Sequence, residues 1–181
     1  MKSLIAGVDE VGRGCLAGPV IAAAVILKKK LANLDDSKKL SPNKREELSM
    51  IIIENSYYAF GSASPEEIDS INILQASLLA MKRAILNLPI IPDEVLVDGN
   101  KKPDTDLRTQ TIIGGDSLIA EISAASIIAK VYRDNLMIEF NNKYPNYGFA
   151  QHKGYGTKAH LESIKSFGYC SIHRKTFKGV I

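Results

Sequence analysis

The chain has 181 residues, of which 45% are apolar and 24% are charged, and its formal net charge is +3. These values are ordinary for a soluble globular protein and allow one domain with a hydrophobic core. The apolar run at residues 20–27 is too short to span a bilayer, and the N-terminus lacks the pattern of a secretory signal. Two widely separated cysteines exclude a disulfide framework. We therefore expect a single domain over residues 1–181, located in the cytoplasm and away from membranes.

The charge is distributed unevenly along the sequence. Residues 150–181 contain six Lys or Arg residues and one acid, a net charge of +5, which leaves −2 for the rest of the chain. All three histidines also lie in this basic tail. Such asymmetry indicates a polyanionic partner such as a nucleic acid. A solvated basic surface without a partner is the alternative.

The first half of the chain predicts strands and helices in alternation. Residues 3–9 and 18–27 form two apolar strands joined by a glycine-rich turn, as in a hairpin. Ser41-Pro42 predicts the start of a helix that continues to about residue 54, since Ser is a good N-cap and Pro suits the first helical position. A third strand is expected near residues 57–62. A capping box beginning at Ser64 then opens a helical pattern that continues through residue 88.

The second half predicts two short strands followed by helices. The strands are residues 95–97 and 109–113. A long helix with an apolar stripe is expected from residue 117 towards residue 140, and a final helix runs from its N-cap Thr157 to Gly168. The resulting order is β-β-α-β-α-β-β-α-α. It predicts an α/β protein with a mixed β-sheet flanked by helices.

Acidic residues follow three of the predicted strands. Asp9 and Glu10 close the first strand, while Asp98 and Asp116 close two later ones. In open α/β sheets, functional sites form at strand ends. Four carboxylates gathered there would repel one another, and divalent cations with oxygen ligands are the usual compensation. The pattern predicts a site for two Mg²⁺ or Mn²⁺ ions, as used in phosphoryl displacement, although each acid alone is also a common cap or turn residue.

The segment after the first strand is Gly12-Arg13-Gly14. Glycine frees the backbone for unusual dihedral angles and allows the main chain to approach a ligand closely. An ordinary surface turn has a similar composition, because glycine and aspartate are frequent turn residues. The loop sequence by itself therefore leaves a ligand-binding loop and a simple turn as alternatives.

Six motifs, in order along nearly the whole chain, resemble those of bacterial ribonuclease HII. They are 9–14 (DEVGRG), 36–41 (DSKKLS), 97–100 (VDGN), 115–116 (GD) followed by 122–130 (ISAASIIAK), 152–157 (HKGYGT) and 173–177 (HRKTF). The resemblance implies a ribonuclease H-like fold. It also implies an endoribonuclease that cleaves the RNA strand of RNA–DNA hybrids and cuts at single ribonucleotides embedded in duplex DNA.

The same resemblance assigns roles to particular residues. The metal-binding catalytic carboxylates would be Asp9, Glu10, Asp98 and Asp116. Gly12, Arg13 and Gly14 would hold the ribonucleotide through backbone contacts, since the 2′-hydroxyl is what distinguishes RNA from DNA. Tyr155 would stack on the deoxyribose on the 3′ side. The cut would fall on the 5′ side of the ribonucleotide and leave a 3′-hydroxyl and a 5′-phosphate.

Basic residues are predicted to contact the phosphates of the duplex. They are Lys38, Lys39, Arg174 and Lys175, and the helical part at 141–181 is expected to contribute to substrate binding. Gly114-Gly115 stands where many relatives carry Lys-Gly, which removes one phosphate contact. Asp134 is interpreted as a surface or salt-bridge residue. For His152 and His160 a phosphate-contact or surface role is favoured, and Lys101 and Lys102 stay undecided.

Other classes of protein remain as alternatives. Ribonuclease HIII has an additional N-terminal substrate-binding domain and lacks the arginine of the glycine loop, whereas this chain begins at the first strand and has Arg13. A non-catalytic nucleic-acid-binding module would share the basic tail, but its carboxylates would repel phosphate without a metal. A resolvase or transposase of the same fold would also gather acids at strand ends. We expect the protein to act as a monomer.

Overall fold

The structure, a computed structural model, describes residues 3–32, 34 and 41–181. Its strands are β1 (Ile5–Val11), β2 (Val20–Leu27), β3 (Ser56–Ala63), β4 (Glu94–Asp98) and β5 (Thr109–Ile112). Within the described residues these strands form one sheet in the order β3-β2-β1-β4-β5. The predicted phosphate contacts Lys38 and Lys39 lie outside the described residues.

The sheet is mixed, as the element order predicts. Strand β2 is antiparallel to both β1 and β3, so the predicted hairpin of the first two strands is confirmed. Strand β4 lies parallel to β1 on one side and to β5 on the other. Val8 is paired with Val97, so the carboxyl ends of β1 and β4 lie side by side. The acids that close these strands are thereby brought to the same edge of the sheet.

Helices cover both faces of the sheet. They are α1 (Pro42–Glu54), α2 (Pro65–Leu86), α3 (Ala120–Lys143), α4 (Phe149–His152) and α5 (Lys158–Phe167). The predicted N-caps are confirmed, because the hydroxyls of Ser41, Ser64 and Thr157 each accept a main-chain N–H bond from the first turn. Helix α3 starts later than predicted, since residues 115–117 first form a separate 3-10 turn.

Helix α2 contains a break that the sequence pattern does not predict. Asn72 has φ 66° and ψ 164°, outside the helical region. Its side-chain oxygen accepts hydrogen bonds from the main-chain N–H groups of Leu74 and Gln75, at 3.0 and 3.1 Å. Asn72 therefore acts as an internal N-cap for the second half of α2. This second half packs beside the carboxyl ends of β1 and β4.

Two hydrophobic clusters hold the layers together. On one face, buried residues of β1, β2 and β4 pack against α2, including Val8, Val97 and Ala80. On the other face, β2 packs against α1 and α3. Gly7 is required on this second face, because a Cβ there would lie 2.1 Å from the backbone carbon of Glu121. The N-terminal end of α3 consequently packs directly on the main chain of β1.

The C-terminal part of the chain packs around the segment that joins β1 to β2. Isolated β-bridges join Cys15 to Tyr155 and Ala17 to His173. A smaller cluster of buried residues, including Met137 and Phe149, fills the space between the end of α3 and the C-terminal helices. None of the helices in the described ranges is both long and apolar enough to cross a membrane.

Candidate active site

Asp9 lies near the carboxyl end of β1, on the face covered by α3. Its side chain is 6% exposed and accepts a hydrogen bond of 2.7 Å from the main-chain N–H of Glu10. The Ser126 hydroxyl on α3 interacts with this carboxyl and acts to lower its pKa. Burial raises the pKa of Asp9 well above its ordinary value, and the neighbouring charges of Glu10 and Asp98 raise it further.

Glu10 points to the opposite face of the sheet, towards α2, because side chains alternate along a strand. Its Oε1 accepts a hydrogen bond of 3.0 Å from Nη1 of Arg13. The pKa of Glu10 is raised by burial, and the ion pair with Arg13 offsets part of this effect. The charge of Asp98 raises the pKa of Glu10 as well. Asp9, Glu10 and Asp98 thus lie within one another's electrostatic field.

Asp98 closes β4 and connects it to the segment that carries Asp116. Its Oδ1 accepts a hydrogen bond of 2.7 Å from the main-chain N–H of Gly115. The next residue, Asp116, lies in the 3-10 turn and is 5% exposed. A Cβ on Gly115 would lie 2.6 Å from the side chain of Ile122, so glycine lets this turn pack closely on α3. Asp9, Glu10, Asp98 and Asp116 are called the carboxylate edge below.

The donor set of the carboxylate edge fits a hard divalent cation. All four side chains are carboxylates, the ligand type that Mg²⁺ prefers. Burial raises the pKa of Asp9 and of Glu10, and the charge of Asp98 raises both further. Among residues 3–32, 34 and 41–181, however, no three His, Cys, Asp or Glu side chains are placed so that together they could hold a metal ion. The donor chemistry therefore suits a divalent cation, and the assignment of these four carboxylates as metal ligands stays a prediction.

A cavity of about 100 Å³ adjoins the carboxylate edge on the side of α2. Glu10, Arg13 and Asp98 line it together with Asn100 and Lys101. Residues of the second half of α2 complete the wall: Leu74, Ser77, Leu78 and Met81. Sequence reasoning does not identify this contribution of α2, because these residues belong to an ordinary helical pattern. Lys101 borders the site, whereas Lys102 lines a separate groove.

The Gly12-Arg13-Gly14 loop follows the carboxylate edge directly. Gly12 has φ 93°, and a Cβ at this position would lie 2.2 Å from Nε of Arg133. Glycine is therefore required here on both conformational and steric grounds. Gly14 is exposed and faces open space, since nothing lies within 4 Å of the position of a Cβ. The structure thus places an accessible glycine backbone beside the acids.

The prediction that Arg174 contacts phosphate is wrong. Its side chain is 0% exposed, and its guanidinium donates to the carbonyl groups of Gly12, Arg13 and Gly18 at 2.7 to 2.9 Å. Burial lowers its pKa to about 10, so it still carries a proton at neutral pH. The basic composition of the tail could not reveal this role, because composition counts charge without regard to burial. The neighbouring Lys175 is exposed, and its predicted contact stays a prediction.

A second buried arginine was missed by sequence reasoning. Arg133 on α3 is 0% exposed and donates to the carbonyl groups of Ala17, Pro19 and Lys153 at 2.8 to 3.0 Å. Oδ1 of the adjacent Asp134 lies 2.7 Å from Nζ of Lys130 in an ion pair, so the interpretation of Asp134 as a salt-bridge residue is confirmed. Nothing in the local sequence distinguishes the buried arginine from its exposed neighbours.

Tyr155 is 42% exposed and lies beside the glycine loop through its β-bridge with Cys15. The Nζ of Lys130 lies 5.9 Å from the centre of its ring. An exposed aromatic ring next to an exposed glycine backbone is suited to stack on a sugar or a base. The structure therefore brings Tyr155 and the glycine loop together, as the predicted substrate-binding role requires.

The histidines do not form a surface patch. His160 and His173 are 0% and 1% exposed, and His152 stacks on His160 with ring centroids 4.3 Å apart. The prediction of a phosphate-contact or surface role for His160 is wrong, because its ring is enclosed by the C-terminal segments. His152 is partly buried, with Nε2 at 2.7 Å from the carbonyl oxygen of Tyr147.

Comparison with solved structures identifies the fold. The crystal structure of ribonuclease H2 from Pyrococcus horikoshii OT3 matches with a TM-score of 0.81 at 27% identity, over 97% of this chain and 94% of that chain. The structure of Bst-RNase HIII in complex with Mn²⁺ matches with a TM-score of 0.78 over 98% of this chain and 68% of that chain, but its 20% identity shows the fold alone. The mixed sheet and the acids at its parallel strand ends define a ribonuclease H-like nuclease.

Sequence comparison identifies the family. The family model for ribonuclease HII matches residues 6–180. Ribonuclease HII of Coxiella burnetii (strain Dugway 5J108-111) is 57% identical over 180 residues, covering 98% of this chain and 89% of the relative. That of Pseudoalteromonas atlantica (strain T6c / ATCC BAA-1087) is 56% identical over 183 residues, covering 99% of this chain and 93% of the relative. The chain belongs to the ribonuclease HII family and is an endoribonuclease H, a hydrolase of RNA paired with DNA.

Proposed function

We propose that this enzyme cuts both RNA–DNA hybrids and single ribonucleotides embedded in duplex DNA, on the 5′ side of the ribonucleotide. The observation that carries the proposal is the adjacency of two features. The electrostatically coupled acids Asp9, Glu10 and Asp98 lie at one edge of the sheet, and the accessible glycine backbone at Gly14 follows β1 directly in the chain. The first can hold metal and phosphate, and the second can read a 2′-hydroxyl.

Asp9, Glu10, Asp98 and Asp116 would hold the divalent cations. Mg²⁺ or Mn²⁺, when bound, supplies activation of water and neutralisation of charge for in-line displacement at phosphorus. The buried carboxyl of Asp9 is oriented by the main-chain N–H of Glu10. Arg13 holds Glu10 on the α2 side of the strand. The presence of Mn²⁺ in the related Bst-RNase HIII structure supports a divalent cation for this site.

The glycine loop and Tyr155 would position the nucleic acid. The main chain at Gly12 to Gly14 would contact the 2′-hydroxyl of the ribonucleotide, which is the group that DNA lacks. Tyr155 would stack on the sugar of the next nucleotide on the 3′ side. Lys175, together with Lys38 and Lys39, would contact phosphates, and the part of the chain from 141 to 181 would contribute the surface that supports the duplex.

We also infer a cytoplasmic monomer. Cys15 and Cys170 are free cysteines, and Cys15 is buried, as expected in a reducing compartment. A ribonuclease HII from Archaeoglobus fulgidus has been solved in complex with PCNA and matches with a TM-score of 0.76 at 28% identity. Size-exclusion chromatography tests the monomer, which should elute as one peak at the 19.8 kDa mass of a single chain.

The proposed function is tested with three duplexes of the same sequence: all DNA, DNA with one ribonucleotide, and an RNA–DNA hybrid. We expect cleavage of the last two, with Mg²⁺ or Mn²⁺ required. The products should carry a 3′-hydroxyl and a 5′-phosphate, because the 2′-hydroxyl is sensed and is not the nucleophile. Equal cleavage of the all-DNA duplex, or a cyclic phosphate among the products, would overturn the proposal.

A further inference from the structure

Three segments interlock beside the active site, and they are called the loop cluster below. They are residues 12–18, the turn at 153–155, and residues 170–174. The main-chain N–H of Leu16 donates to the Gly154 carbonyl at 2.8 Å, and the Leu16 carbonyl accepts from the main-chain N–H of Arg174 at 2.9 Å. Gly18 donates to Ile172 at 2.8 Å. Residues 12–18 are consequently held between the turn that carries Tyr155 and the segment that carries His173 and Arg174.

Arg174 is bonded to the glycine loop through all three nitrogen atoms of its side chain. Nη2 donates to Gly12 at 2.7 Å, Nη1 donates to Arg13 at 2.9 Å, and Nε donates to Gly18 at 2.9 Å. The guanidinium is planar and rigid, so these bonds fix the three carbonyl groups relative to one another. A lysine ammonium would be a single point charge and could not span them in this way.

His173, the residue before Arg174, is connected to the turn that carries Tyr155. Nδ1 of His160 lies 2.9 Å from the Tyr155 carbonyl oxygen, and Nε2 of His160 lies 3.0 Å from Nε2 of His173. Nδ1 of His173 accepts from the main-chain N–H of Cys170 at 2.9 Å. A chain of hydrogen bonds therefore runs from the backbone of Tyr155 to His173.

The partners of each ring determine the tautomers of these histidines. The Tyr155 carbonyl can only accept, so we assign a proton to Nδ1 of His160 and none to its Nε2. Nε2 of His173 must then donate to Nε2 of His160, which leaves Nδ1 of His173 free to accept from Cys170. Every ring nitrogen of the pair is satisfied when both rings are neutral. Burial and the neighbouring histidines agree with this state, since they lower the pKa of His173 to about 4.

We infer that His173 and Arg174 are positioning residues that fix the distance between the glycine loop and Tyr155. Arg174 holds the loop that would read the ribonucleotide. His173, acting through His160, holds the backbone of Tyr155, whose ring would stack on the following sugar. Because the two residues are consecutive, they transmit any displacement of one element to the other. This inference rests on the proposed function, in which both elements contact neighbouring nucleotides of the same strand.

Loss of this positioning should lower turnover more than affinity. The exposed basic residues that attract the duplex are not changed, so KM for the junction duplex should stay within about threefold of the wild-type value. A displacement of reacting groups by about 1 Å can lower the rate about 10²-fold. We therefore expect kcat to fall about 10²-fold in Arg174→Met and less in Arg174→Lys.

Matched variants separate positioning from a general loss of stability. Arg83 is a suitable control, because its guanidinium donates to the Ser62 carbonyl and to Glu67, and neither of these residues belongs to the loop cluster. Arg83→Met should lower the melting temperature and leave kcat and KM unchanged well below it. Arg174→Lys is measured beside Arg174→Met, so that the result does not depend on the folding of one variant.

The histidine arm is tested in the same assay. His173→Leu removes the donor to His160 and should lower kcat with little change in KM. His173→Gln offers an amide N–H near the position of the lost Nε2 donor, and it should restore part of the lost kcat. If the site only needed an apolar side chain to fill it, His173→Leu would keep at least as much kcat as His173→Gln.

A double-mutant cycle with Tyr155→Ala tests the coupling directly. If Arg174 acts partly by placing Tyr155, the double variant should lose less activity than the product of the two single losses. A loss in the double variant equal to the product of the two single losses would overturn the inference. So would kcat values within twofold of wild type in the Arg174 variants and in His173→Leu. A wild-type protein that leaves the single-ribonucleotide duplex uncut would overturn the proposed function, and the inference would fall with it.

Discussion

At the carboxylate edge, Asp9 is 6% exposed, so burial raises its pKa, and the charges of Glu10 and Asp98 raise it further. In the loop cluster, Arg174 is 0% exposed and each of its side-chain nitrogens meets a main-chain carbonyl. The first region keeps buried charge that the protein compensates only in part, whereas the second satisfies buried charge with its own backbone. Incomplete compensation is what a binding site for cations requires, and full compensation is what holds a recognition loop in place.

Removing one charge from the carboxylate edge is the strongest test of this difference between the two regions. Asp98→Asn keeps the oxygen that accepts from Gly115 but loses the negative charge. We expect activity to fall about 10³-fold or more, because transition-state charge is no longer stabilised. Without metal, the variant should be as stable as wild type or more stable, since repulsion with Asp9 and Glu10 is relieved.

Thermal unfolding with and without Mg²⁺ provides the measurement for Asp98→Asn. Mg²⁺ should raise the melting temperature of the wild type by mass action and that of the variant by less. A variant that is strongly destabilised in the absence of metal would show that Asp98 has a structural role in place of the one proposed.

The opposite experiment removes a satisfied charge. Arg133→Met leaves the carbonyl groups of Ala17, Pro19 and Lys153 without their donors. Unpaired buried polar groups are costly, so the free energy of unfolding should fall by about 3 kcal/mol or more. The partly exposed pair of Arg83 and Glu67 is the control, and Arg83→Met should cost about 1 kcal/mol or less. Urea denaturation measures both variants, and equal losses would contradict the difference drawn between buried and exposed arginines.

The two regions differ in how far they can be predicted from sequence. Acids that follow apolar strands form a local pattern, and functional sites in open α/β sheets form at strand ends. Asp9, Glu10 and Asp98 could therefore be placed together before any coordinates were known. The bonds from Arg174 join residues 161 and 162 positions apart in the chain. No local pattern encodes such a contact, so Arg174 resembled its exposed neighbour Lys175.

The same distinction applies to the helices. Cap residues such as Ser64 act within one turn, and their prediction succeeded. The break at Asn72 was missed because the apolar pattern continues on both sides of it, and an asparagine in a helical pattern does not by itself predict a positive φ. The role of Ser126 was missed for a related reason. It stands among the small residues 123–126 of α3, and nothing in that local pattern predicts its interaction with the Asp9 carboxyl.

Acidification should distinguish the two regions by the sign of the effect on stability. His173 has a folded-state pKa of about 4, below the ordinary value of 6.5, and that of His160 is also lowered. The unfolded chain therefore binds more protons between these values, and the histidines should reduce stability as the pH falls from 6.5 towards 4. Asp9 and Glu10 have raised pKa values, so without metal their contribution changes in the opposite direction.

Urea denaturation at several pH values between 4 and 7, in the presence of a chelator, measures this difference. His173→Gln should flatten the loss of stability at low pH, and Asp98→Asn should leave that histidine contribution in place. Histidine ¹⁵N chemical shifts at neutral pH should in addition show the Nδ1–H tautomer for His160 and the Nε2–H tautomer for His173. Protonation of either ring at pH 6.5 would contradict the assignment.

The smallest effect is expected at the exposed residue beside the loop cluster. Lys175 lies next to the buried Arg174 in the sequence, and its Nζ is 5.4 Å from the centre of the Tyr169 ring. If it contacts one phosphate, Lys175→Met should weaken duplex binding equally for all sequences. The slope of log K against log salt should become shallower by about 0.9, the value for one released counterion. Turnover at saturating substrate should not change, because Lys175 would position the duplex and take no part in the chemistry.

Lys28 provides the matched control for this measurement. Its Nζ also lies over a tyrosine ring, 4.7 Å from the centre of Tyr57, but at the end of β2 remote from the glycine loop. Lys28→Met changes the net charge by the same amount, so it should reproduce any effect that depends on net charge alone. An unchanged salt slope in Lys175→Met, or equal changes in both variants, would show that the basic tail is a solvated surface. A change confined to Lys175→Met would instead show that the duplex lies along this segment of the chain. Two consecutive residues would then have different roles: Lys175 contacts a phosphate, and Arg174 positions the glycine loop.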